Sequence, residues 1–162
     1  NKFEINMKKI LLFFIICAFN ISISQNKDTT KVQIYDPKAN PQSDLSIAIK
    51  KAQKSNKKIL LEVGGDWCPW CKKLNKLFNE NKEIANLLNK YFIVLKVNYS
   101  KENKNQEFLS KYPKIEGYPH IFILNKNGEL LHSQNTGDLE SGDHHDPDKV
   151  IKFLKEWSKA KN

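Results

Sequence analysis

The stretch Gly65-Asp66-Trp67-Cys68-Pro69-Trp70-Cys71-Lys72-Lys73 lies between two different patterns. Before it, Ile59-Leu60-Leu61-Glu62-Val63 is a short apolar run that reads as a buried strand, broken by Gly64-Gly65. After it, Cys71, Leu74 and Phe78 recur at i, i+3 and i+7 and predict a helix from about Cys68 to Asn79. A C-x-x-C motif therefore falls where a strand hands over to a helix. A cysteine at a helix N-terminus faces unpaired backbone N–H groups and the positive end of the helix dipole, which favour the nucleophilic thiolate. Cys68 is thus predicted to be the attacking group, open to solvent at the helix mouth. Cys71 lies one turn further in, on the buried stripe, where its sulfur is shielded and suited to resolve a mixed disulfide. Pro69 costs little in a first turn, because its missing N–H would have no helical partner, and it stiffens the loop. Trp67 and Trp70 flank the cysteines, a position that favours an apolar rim for protein substrates over plain core residues.

Working outward, Leu45, Ala48, Ile49 and Ala52 predict a helix that starts at Asp44 and ends at Ser55-Asn56. Residues 25–43 are polar, with Pro37 and Pro41 as breakers, and suit an extended lead-in or weak edge strand with little functional part. Ile84, Leu87 and Leu88 mark another helix, and Tyr91 to Val97 reads as a second buried strand, since only Lys96 in it is charged. A short helix near Gln106 to Lys111 precedes a hairpin of His120 to Leu124 and Glu129 to Ser133 about an Asn127-Gly128 turn. Asp146-Pro147 opens a last helix with the stripe Val150, Phe153, Leu154 and Trp157. Strands alternating with helices, then a hairpin and a helix, imply one α/β domain with a mixed sheet flanked by helices.

The 162 residues carry 40% apolar and 28% charged side chains, enough for a core and too polar for an integral membrane bundle. All 27 cations behind the net charge of +9 are lysines. They are scattered over every helix, and without arginine for bidentate phosphate or base contacts they read as a solvated surface rather than a nucleic-acid site. Met7-Lys8-Lys9, the apolar run Ile10 to Phe19 and the small polar segment Ile21 to Gln25 read as a signal peptide. The run is about half of the ~20 residues a spanning helix needs. Cleavage is expected after Ser24, with Ser22 and Ser24 at the small positions, giving a periplasmic or secreted product. Residues 1–6, upstream of Met7, are left out of the fold reading. The expected divisions are 1–24, 25–43 and 44–162. Cys17 as a lipid-bearing cysteine would need a small residue before it, where Ile16 stands, so it reads as an apolar residue of the discarded segment. Cys68 and Cys71 then have only each other, which favours chemical over structural use in an exported protein.

The C-x-x-C block resembles the thioredoxin superfamily, and the resemblance runs over residues 44 to 160. Glu62, six residues before Cys68, falls where thioredoxins carry a buried acid, and Lys96 falls where they carry its lysine partner. Gly117-Tyr118-Pro119 before an apolar strand is similar to the family's cis-proline loop, which would face the cysteines and offer a backbone edge to an extended substrate peptide. Gly128 and Gly137 match glycines of the C-terminal hairpin and the turn after it. The resemblance implies a thioredoxin fold. It also implies a catalytic set of Cys68, Cys71, Glu62 and Lys96, and substrate contacts from Trp67, Pro69, Trp70, Tyr118 and Pro119, with no cofactor and no metal. A carboxylate among apolar residues is costly to ionise unless paired, which suits Glu62 to take the proton that Cys71 loses, with Lys96 moderating that cost. The chain departs from the family in its glutamate, in Gly64 where an aromatic residue is common, in CPWC for CGPC, and in an inserted Ser141 to Asp146.

These readings converge on a monomeric thiol–disulfide oxidoreductase acting on disulfides of exported proteins, recharged by a membrane thiol–disulfide electron donor. CPWC lacks a cation between its cysteines and a buried Glu62 opposes a second anion, so the reducing direction is favoured. A disulfide oxidase or isomerase is the alternative enzyme. An inert structural disulfide, a binding module, or a metal carrier with His120 as third ligand are the non-catalytic alternatives. His144 and His145 are expected in a solvated loop.

Overall fold

The computed structural model describes residues 33–159. The expected signal peptide, the first part of the lead-in and Cys17 lie outside the described residues. Helix α1 spans Pro41–Ser55. It begins three residues before the start that its apolar stripe predicts, because Asn40 caps it through Oδ1, which accepts from Gln42 N and Ser43 N at 3.1 Å each. Pro41 is therefore the first helical residue rather than a breaker, the position where a missing N–H is harmless. Asn56, at φ 53°, closes the other end.

Strand β1, Lys58–Gly64, is buried over its whole length and is the axis of the molecule. It runs parallel to β2 (Phe92–Asn98) and antiparallel to β3 (His120–Leu124), and β3 pairs antiparallel with β4 (Leu130–Asn135), giving the order β2-β1-β3-β4. Glu62 stands opposite Lys96 on β2 and Ile121 on β3. β2 is an edge strand, not the fully buried strand that its apolar composition predicts. Val94 is exposed, Lys96 is half-buried, and Tyr91 is the last residue of the preceding helix.

Helices α2 (Pro69–Glu80) and α3 (Lys82–Tyr91) cover one face of the sheet together with α5 (Pro147–Lys159). Leu60, Ile121 and Ile123 meet Leu74, Phe78, Ile84, Leu88, Phe153 and Leu154 there. On the opposite face Ile59, Leu61 and Val63 pack with Leu45, Ala48 and Ala52 of α1 and with Phe108 of the short helix α4 (Gln106–Leu109). Strand side chains alternate in direction, so Glu62 shares the face of Leu60 and lies under α2, on the cysteine side.

The insertion before α5 is a tight hairpin of β5 (Glu140–Ser141) and β6 (His144–His145), turning at Gly142 with φ 61°. His144 is exposed as expected for a solvated loop, but His145 is buried at 3% exposure. Strand pairing turns alternate residues of the hairpin to opposite sides, and the inner one reaches α2.

Candidate active site

Cys68 is the N-cap residue of α2 and is joined to Cys71 by a disulfide. Its Sγ lies 3.1 Å from Cys71 N, so a backbone N–H of the first turn points at that sulfur. Cys71 has no exposed surface, in keeping with its place on the inner stripe. Cys68, expected to be open to solvent, is only 3% exposed. The rings of Trp70 and Tyr118 pack against the Tyr35, Cys68 and Cys71 cluster and cover it.

The Tyr118–Pro119 peptide bond is cis. Tyr118 O lies 3.5 Å from Cys68 Sγ, and Pro119 O accepts a hydrogen bond from Thr136 Oγ1 at 2.5 Å. Trp67 is 55% exposed, and its Nε1 donates to Tyr99 O at 2.6 Å. Its ring meets Tyr118 edge-on at 5.8 Å, and Tyr118 stacks on Tyr99 at 4.7 Å. An open, mostly apolar cleft of about 460 Å³ runs beside Trp67 and Tyr99. Pro69 is exposed at its end of the motif. Trp70 is half-buried instead, held between the His145 ring at 5.3 Å and the Lys73 ammonium at 4.5 Å from its ring centre. Lys73 also donates to Asp143 O, tying the inserted hairpin to α2.

Beneath the cysteines Glu62 is fully buried, and Lys96 Nζ reaches its Oε2 at 2.8 Å. The other oxygen, Oε1, accepts from the hydroxyl of Tyr35. Tyr35 comes from the lead-in that sequence analysis expects to do little, yet it is 1% exposed, and burial, then the Glu62 charge, pushes its hydroxyl far above the usual tyrosine range. Asp66 Oδ1 secures it by accepting from Ile34 N at 3.1 Å and Tyr35 N at 3.2 Å. Gly64 explains the fit. A Cβ there would stand 2.7 Å from Cys71 Sγ and 2.8 Å from Tyr35 Oη, so the absent side chain makes room for both. Tyr35, Asp66 and His145 are the site residues that sequence reasoning misses. The signal for the first is faint: Tyr35 is the single aromatic residue in a polar stretch.

His120, beside the cis bond, is buried and shares a hydrogen bond with Ser133 Oγ through Nε2 at 2.9 Å. Burial lowers its pKa. Among the described residues no three His, Cys, Asp or Glu side chains are grouped to hold a metal ion.

The thioredoxin-like family model matches residues 40–126. Among curated relatives, the disulfide bond reductase DsbH of Chlamydia pneumoniae is 26% identical over 93 residues, covering 52% of this chain and 55% of that protein. The thiol:disulfide interchange protein DsbD of Vibrio cholerae is 30% identical over 87 residues, covering 54% of this chain and 14% of that one. The chain thus spans about half the length of the first and about a seventh of the second. Of solved structures, a disulphide isomerase from Xylella fastidiosa superposes with a TM-score of 0.69 at 23% identity, over 78% of this chain and 98% of that one. The family match extends from the cap of α1 through the cysteine pair and β3, which are the elements that build the site. The chain belongs to the thioredoxin-like family, as a member with a bridged C-x-x-C pair.

Proposed function

We propose that the protein is a thiol–disulfide oxidoreductase that reduces disulfides of exported proteins. The observation that carries this reading is the Cys68–Cys71 pair at the start of α2, with the N–H of Cys71 directed at Cys68 Sγ. In the reduced protein, the Cys68 thiolate attacks a substrate disulfide, forming a mixed disulfide and releasing one substrate thiolate, which takes a proton from water. Cys71 then gives up its proton to Glu62 and attacks Cys68 Sγ, expelling the second substrate thiolate, which takes a proton from water, and closing the Cys68–Cys71 bond. Two electrons pass to the substrate, and a donor dithiol must return them.

The reducing direction is supported by the absence of a cation between the two cysteines and by the buried Glu62 carboxylate, which opposes a second anion nearby. The Chlamydia relative, a disulfide bond reductase, agrees with this direction. Similarity to DsbD supports a membrane thiol–disulfide electron donor as the recharging partner. Trp67, Pro69, Trp70, Tyr118 and Pro119 form the substrate-facing rim in this reading, and the signal peptide sends a monomer to the periplasm or beyond. A disulfide isomerase is the second reading, favoured by the Xylella structure.

Equilibration with glutathione separates the two. A reductant is expected below about −180 mV, the figure for protein disulfide isomerase, and a more oxidising value overturns the reducing assignment. A Cys71→Ser variant is expected to accumulate mixed disulfides with exported proteins. If it traps none and the wild type leaves insulin disulfides intact, the catalytic reading fails.

A further inference from the structure

Glu62 is under α2, and a hydrogen bond reaches each of its carboxylate oxygens. Lys96 occupies Oε2, and the Tyr35 hydroxyl occupies Oε1. The phenol oxygen and the Cys71 sulfur crowd one point, 2.8 and 2.7 Å from where a Gly64 Cβ would be. Tyr35, Cys68 and Cys71 form a single buried cluster. The ring is held from three sides: Asp66 on its backbone, Glu62 on its hydroxyl, and the Lys96 ammonium 5.1 Å from its ring centre. A buried tyrosine only needs one hydrogen-bond partner to be satisfied, and Glu62 supplies it. The same oxygen keeps a lone pair with which it can accept a proton, and it stands with the Cys71 sulfur beside Gly64.

We propose that Tyr35 is the relay through which the Cys71 thiol proton reaches Glu62. This rests on the reading of Cys71 as the resolving cysteine. As the Cys71 S–H bond breaks, its proton passes to Tyr35 Oη while the proton already on that oxygen passes to Glu62 Oε1. The phenol ends neutral, Glu62 ends protonated, and the electron pair left on Cys71 Sγ forms the bond to Cys68 Sγ as the bond to the substrate sulfur breaks. Burial and the neighbouring carboxylate make a free tyrosinate costly, so the two transfers are coupled and no anionic phenol accumulates. When a donor dithiol reduces the bridge, the same path returns the proton to Cys71.

The test is a single-turnover reaction of the reduced protein with a chromophoric aromatic disulfide. Attack by Cys68 gives a first phase, and expulsion of the aromatic thiol by Cys71 gives a second. Tyr35→Phe keeps the ring and removes the relay, and is expected to slow the second phase about 100-fold at neutral pH. The deficit should shrink as pH rises toward the ordinary thiol range near ~8.5, where hydroxide can take the proton instead, a recovery that mere loss of packing does not produce. Glu62→Gln should slow the same phase, and the double variant should be no slower than Glu62→Gln alone, because both act on one path.

A second phase that stays fast in Tyr35→Phe while Glu62→Gln is slow overturns the relay and leaves the oxidoreductase reading intact. Multiplicative losses in the double variant also overturn the relay. A wild type with neither phase overturns both. If Tyr35→Phe does not fold, site-specific 3,5-difluorotyrosine at 35 keeps the hydroxyl and makes it more acidic. The relay then requires a changed second-phase rate, and an unchanged rate overturns it.

Discussion

Gly64 shows how far one missing methyl group shapes this site. Its neighbours are a bridged sulfur and a tyrosine ring, both buried and neither able to swing away. Gly64→Ala is therefore expected to destabilise the fold by about 1–3 kcal/mol through overpacking, read as a lower urea midpoint with an unchanged slope. At this scale the sequence is partly transparent. The roles of Glu62 and Lys96 as partners can be read because the resemblance aligns both, and the structure joins them at 2.8 Å. Tyr35 cannot be read that way. Its contact to Glu62 spans 27 positions, and no local period announces a lone aromatic residue whose partners lie on a strand and a strand–helix junction.

At the scale of elements, helices declare themselves through stripes, and every long one is found within a few residues of its expected span. Their starts depend on caps. Asn40-Pro41 signals a helix start as much as a break, and only the geometry of Asn40 decides between them. For β2, an apolar run shows that a strand exists but not which neighbours it has, and its edge position follows from sheet order alone. The inserted hairpin lacks apolar alternation, so its docking is hidden from pattern reading. That docking has a pH consequence. Burial first, then the charges of His144 and Lys73, lowers the pKa of His145 from 6.5 to about 4, with Glu140 Oε1 3.9 Å away as the opposing anion. Below about 6.5 the unfolded chain takes up a proton that the folded one refuses. The folded state should then lose about 1.4 kcal/mol per pH unit between there and about 4. His145→Phe, which keeps a ring against Trp70, is expected to flatten this slope in denaturant titrations at pH 7.5, 6 and 5.

For the whole molecule, the fold is legible because its evidence is redundant. A strand, a C-x-x-C at a helix start, an alternating order of elements and a proline before an apolar strand all point to one topology. The two apolar layers on either side of β1 follow from the alternation of Leu60 against Ile59, Leu61 and Val63. Among the described residues most lysines stay exposed and leave no mark on that topology, with Lys58 of β1 and Lys96, paired with Glu62, among the exceptions.

The grip of Asp66 on the backbone of Ile34 and Tyr35 sets a boundary for how the chain may be trimmed. Cleavage near residue 24, as the proposed signal peptide implies, would spare this clasp, whereas a protease that clips between Tyr35 and α1 would leave the sheet, the helices and both cysteines in one piece and carry off the aromatic plug. Such a nicked form should stay folded yet let solvent in against Gly64, so it would be recognised by faster hydrogen exchange at the β1 amides around Glu62, and by a shorter N-terminus in mass spectra.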